Sequence, residues 1–169
     1  MPLLRTVTFF YRPREDRILA AINLSHPDAW SCWITRRLAL AMIERAAKFL
    51  ASTSPLAKRA ATAHQHVLAQ FERESAMAST AKAISAASRD ALEASTAAAE
   101  LAERLTITNQ REKFRLELWG DRAGNAIGLV GRPELQRIID MLEGQVEKAR
   151  WTSSGEAVVE AAAPKTVHH

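Results

Sequence analysis

Two stretches of the chain share one pattern of apolar and polar positions at a constant separation of 96 residues. Phe9 matches Leu105, Tyr11 matches Ile107, Ile18 matches Phe114, Ala20 matches Leu116 and Ile22 matches Leu118. The register continues without a gap through Ile34 with Val130, Ala39 with Leu135, Met42 with Ile138, Ala46 with Leu142 and Leu50 with Val146. Side chains two apart share one face of a strand, and those three or four apart share one face of a helix. Both periods survive at one offset, which predicts a duplicated strand-strand-strand-helix unit.

The first unit, residues 1–52, reads as strands over Arg5–Tyr11, Arg17–Leu24 and Ala29–Ile34, followed by a helix. Thr35 is its N-cap, and Leu38, Ala39, Met42, Ile43, Ala46, Phe49 and Leu50 form its apolar stripe. The second unit, residues 105–151, has strands over Leu105–Thr108, Lys113–Trp119 and Asn125–Val130. Its helix follows Gly131, carries Pro133 in the first turn, and buries Leu135, Ile138, Ile139, Leu142 and Val146. The fold class is α+β, with an antiparallel sheet.

Between the units, residues 53–104 are rich in alanine, and no glycine or further proline follows Pro55. Such a segment is predicted to be helical. One rod over Pro55–Arg104 would run roughly 75 Å at about 1.5 Å per residue, whereas Leu105 must begin beside the first unit. A helical hairpin is therefore expected, with arms over Pro55–Glu74 and Ala81–Arg104 and a bend near Ser75, Ser79 and Thr80. Its large apolar residues, among them Met77, Ile84, Leu92 and Leu101, are sparse enough that the hairpin must pack on something. Residues 152–169 lack a core pattern and read as a disordered tail.

Charge changes this picture in one respect. The net charge is +4, but residues 1–60 alone hold ten Lys or Arg against four acids, a local excess of +6. A basic half of this kind suits phosphates or an acidic partner, or is ordinary solvated surface. The single cysteine, Cys32, falls in a predicted strand and reads as a small buried hydrophobe. The first residues lack an uninterrupted apolar run, and no stretch approaches a membrane span, so a cytoplasmic chain with no membrane contact is expected.

The catalytic inventory is thin. His64 and His66 lie two apart on a predicted helix and point to different sides, so they do not share a metal. Gly120, Gly124 and Gly128 match neither a dinucleotide fingerprint nor a phosphate loop. No enzyme activity, cofactor or metal is expected.

The strands carry the more suggestive constellation. In Lys113–Trp119, Phe114, Leu116 and Leu118 occupy one face and Lys113, Arg115, Glu117 and Trp119 the other. By the same register Phe10, Arg17 and Trp33 join that second face, beside Arg5. Aromatic rings with arginines on an open sheet form a platform for single-stranded DNA or RNA. The greasy Leu19, Ala21, Ile127 and Leu129 on the same face favour instead a sheet covered by the hairpin.

Two roles follow. The leading one is a non-catalytic assembly or adaptor protein that binds a protein partner or forms a homo-oligomer through Met77, Ile84, Leu92 and Leu101. The alternative is a single-stranded nucleic-acid binder using Arg5, Phe10, Arg17, Trp33, Arg115 and Trp119.

Overall fold

The computed structural model describes residues 3–24, 26–53, 89–111 and 113–151. Most of the alanine-rich insert and the tail lie outside the described residues, and with them Met77, Ile84, His64, His66 and the expected bend. The described elements are β1 (Val7–Arg12), β2 (Arg17–Ile22), β3 (Trp30–Ile34), α1 (Arg36–Thr53), α2 (Arg89–Ala98), β4 (Glu100–Gln110), β5 (Lys113–Gly120), β6 (Asn125–Val130) and α3 (Arg132–Lys148). The class is α+β. Six strands form one mixed sheet in the order β1-β2-β3-β4-β5-β6, antiparallel except where β3 and β4 run parallel.

One sheet face is the core. Phe9, Ile18, Ala20, Ile22, Cys32 and Ile34 from the first three strands, with Phe114, Leu116, Leu118, Ala126 and Val130 from the last three, are buried together under α1 and α3. The helices cross over: α3 packs on β1 and α1 on β4, so each lies on the first strand of the other half. The apolar stripe of α3 is buried at all five expected positions, and Ala39, Met42, Ala46 and Leu50 are buried on α1. Thr35 Oγ1 accepts the Leu38 N–H at 3.3 Å, the N-cap its position predicted. A small apolar cavity of about 20 Å³ remains between the sheet and the helices, lined among others by Phe9, Leu105, Ile22, Leu118, Met42 and Ile138.

The stretch ahead of β1 reaches the far edge of the sheet. Leu3 bridges Ile127 in parallel, and the Leu4 N–H donates to the Ile127 carbonyl at 2.7 Å. Asn23, buried and in the left-handed region at φ 52, holds this stretch. Its Oδ1 accepts the Arg5 and Thr6 N–H groups at 3.0 and 3.1 Å, and its Nδ2 donates to the Leu3 carbonyl at 2.7 Å. That is why β1 starts at Val7 rather than at Arg5.

The end of the insert departs from expectation. The helix predicted to continue to Arg104 stops at Ala98, and Glu100–Arg104 belong to β4. Helix-forming alanine and glutamate yield there to pairing on both sides: Leu101 sits beside Trp33 in parallel and Ala102 opposite Gly120 in antiparallel register. A register shift between Ala102 and Arg104 leaves Glu103 as the extra residue of a bulge. Leu101, expected on the hairpin, is therefore a strand residue.

Candidate functional site

The outer face of the sheet divides into two unlike halves. On the first, Phe10, Leu19, Trp33 and Leu101 stand in one row across β1 to β4. Helix α2 lies on β2 and β3 there, and the Ser31 hydroxyl donates to the Ser95 carbonyl at 2.6 Å. Leu19 and Ala21 are fully buried and Trp33 half-buried, so this half of the second face is covered interior. Leu92 is half-buried on α2.

On the second half, β4, β5 and β6 present Arg104, Trp119 and Asn125 in one row, then Thr106, Glu117 and Ile127, then Thr108, Arg115 and Leu129. The Arg104 guanidinium lies 4.8 Å from the centre of the Trp119 ring. Arg115 Nε is 2.7 Å from Glu117 Oε1, and Lys113 adds a further exposed cation at the start of β5. At the seam, Leu3 is 56% and Leu129 53% exposed, with half-buried Ile127 between them on the same face.

The six residues expected to build a nucleic-acid platform are thus distributed. Phe10 and Trp33 flank Leu19 on the half covered by α2, while Arg115 and Trp119 lie on β5, two strands from Trp33, or about 10 Å. Arg17 is exposed opposite Arg12 at the β1–β2 turn. Arg5 stands ahead of β1, with its guanidinium 3.3 Å from His26 Nε2. Arg104 is missing from the expected platform because its alanine-rich segment reads as helix, whereas it lies in β4. The signal that would have found it is the alternation Arg104, Leu105, Thr106, Ile107, Thr108, which extends the strand backwards.

Cys32 is fully buried on β3, and burial, with the Glu100 carboxylate adding to it, pushes its thiol far above the ordinary range. It stays a neutral thiol at physiological pH and packs as an apolar group. Among the described residues, no group of three or more His, Cys, Asp and Glu is arranged to hold a metal ion. No helix among them is long and apolar enough to cross a membrane. No family model, curated protein or solved structure matches this chain.

Proposed function

We propose that the chain is a non-catalytic assembly or adaptor protein, built on a duplicated β-β-β-α unit, that binds a protein partner or a second copy of itself. Support for duplication comes from the cavity at the centre of the core. Phe9 and Leu105, Ile22 and Leu118, and Met42 and Ile138 are three pairs 96 residues apart, and all six line that one cavity. The starts of α1 and α3, Arg36 and Arg132, differ by the same 96.

One observation carries the functional reading: α2 covers the outer face of the first half, while the second half leaves an apolar seam at Leu3, Ile127 and Leu129 beside charged strands. Exposed apolar side chains set among charges are the ordinary composition of a protein-binding surface. In this reading the alanine-rich segment supplies a second contact surface through Met77 and Ile84, while Leu92 shares the inner side of α2 with buried Ser95. Sedimentation velocity of the purified chain, together with co-purification at native expression levels, tests the reading. A self-complex or one protein recovered in fixed stoichiometry is expected. A chain that is monomeric and recovers no protein partner sinks it.

A second reading, binding of single-stranded DNA or RNA, is favoured by the excess of cations over acids on the outer face of β4 and β5. Fluorescence anisotropy of labelled single strands at low and moderate salt decides it. Binding that weakens steeply with salt supports phosphate contacts, and no binding at low salt removes the reading.

A further inference from the structure

We propose that the outer face of β4–β6 docks an amphipathic helix of a protein partner, one that sets leucine-class side chains on the seam and carboxylates on the flank over β4 and β5. The proposal rests on the duplication and assembly reading above and names the partner chemistry it leaves open. The chain itself shows how a helix sits on this kind of face. α2 lies on β2 and β3, and an offset of 96 carries those strands onto β5 and β6.

The chemistry of the two faces differs, and that difference selects the occupant. Under α2 the face is filled by Leu19 and Ala21. At the positions 96 residues later stand Arg115 and Glu117, tied to each other at 2.7 Å. With Glu117 held by Arg115, Arg104 and Lys113 stand against the exposed bulge residue Glu103, which leaves an excess of one positive charge on the outer face of β4 and β5, to one side of the seam. An occupant therefore needs apolar side chains toward β6 and acidic ones toward β4 and β5. β5 has eight residues, about 26 Å at roughly 3.3 Å each, which an aligned helix of about 18 residues spans.

A nucleic-acid strand fits this half less well. Base stacking requires a free aromatic face, and the ring of Trp119 already carries Arg104. Among the described residues, Trp119 is the aromatic side chain that this half presents outward.

The test is selection of a phage-displayed library of 20-residue peptides against the full chain, followed by affinity measurement of enriched peptides on variants. Enriched peptides are expected to carry Leu, Ile or Met at i, i+3 or i+4, and i+7, with Asp or Glu beside them. Leu129→Glu and Lys113→Glu, both at exposed positions, should each weaken such a peptide by about tenfold or more. Lys48→Glu on the exposed side of α1 should leave it unchanged. A labelled uridine 20-mer is titrated in parallel. No enrichment, enrichment of basic or extended peptides, or indifference to Leu129→Glu overturns the proposal, as does uridine-strand binding that Lys113→Glu abolishes. A partner complex that survives Leu129→Glu and is lost when residues 53–104 are altered keeps the assembly reading while refuting this one.

Discussion

The Glu100 carboxylate, at the first residue of β4, accepts the indole N–H of Trp30, at the first residue of β3, at 3.2 Å. The same carboxylate takes the backbone N–H groups of Arg122 and Gly124 at 3.0 and 3.1 Å. Asp121 Oδ1 returns the tie by accepting the Leu101 N–H at 3.0 Å. The β5–β6 turn is thereby pinned to the parallel junction of β3 and β4, where the two halves of the sheet meet. A Cβ at Gly124 would overlap both Glu100 Oε1 and Trp30 Nε1, so this close approach requires glycine.

Glu100→Ala is expected to cost about 1–3 kcal/mol, because it strands a partly buried indole donor and two backbone donors. For a chain of this size that lowers Tm by roughly 2–4 °C per kcal/mol. Gly124→Ala should destabilise through the same contact, so the double variant falls short of the sum of the singles in thermal melts. Full additivity would show that the pin does not act as a unit.

How much of this was legible in the sequence depends on the range of the interaction. The alternation of Phe114, Leu116 and Leu118 and the stripe from Leu135 to Val146 reported their own burial, because a strand or helix face is set by residues a few positions apart. Thr35 declared its cap for the same reason. Glu100 did not, since alanines on either side read as helix and its partners lie 22 to 70 positions away. Likewise, Phe10 and Trp33 announced a second face, but whether that face meets solvent depends on where α2 lands. α2 lands on Leu19 and Ala21 of β2, whereas the outer row of β5 holds Arg115 and Glu117.

Arg132 opens α3 and closes α1. Its NH1 and NH2 donate to the Leu50 carbonyl, both at 3.1 Å, and NH2 donates to Thr53 Oγ1 at 2.8 Å. The last turn of α1 has no basic residue of its own, so Arg132 supplies the cation that the helix C-terminus favours. Arg132→Ala should cost about 1–2 kcal/mol, and Arg132→Lys should recover only part of it, because an ammonium lacks the planar fork. Denaturant midpoints of the two variants check this, and equal midpoints contradict it.

The seam between β6 and the start of the chain rests on two small features. At Gly128, an added Cβ would stand 2.9 Å from Leu4 Cβ and 3.3 Å from the Leu4 carbonyl oxygen. Gly128→Ala should push the Leu3–Leu4 stretch off β6 and cost about 1–3 kcal/mol. Asn23→Ala should release the same stretch by removing three hydrogen bonds. In both variants the Leu4 amide should exchange hydrogen faster than in the parent; unchanged exchange contradicts the closure.

Tyr11 is the single tyrosine of the chain, so its ionisation is read directly from tyrosinate absorbance. Its hydroxyl donates to Asp16 Oδ1 at 3.0 Å, which also accepts the Trp151 indole N–H at 3.1 Å. The hydrogen bond to Asp16 is the main cause that raises the Tyr11 pKa above its usual value of 10.0, followed by desolvation and the carboxylate charge. A raised folded-state value favours the protonated form, so this contribution to stability is complete below pH 10.0 and is lost as pH rises through the folded value. Spectrophotometric titration should find a midpoint above 10.0 that falls in Asp16→Asn. A midpoint indifferent to that substitution contradicts the contact.

The most direct test of the assembly account is a photocrosslinking amino acid placed at position 129 on the outer sheet face and, as control, at position 48 on α1. The account expects one protein to be crosslinked in cells from position 129 and not from position 48. Crosslinks to nucleic acid, or the same products from both positions, would contradict it.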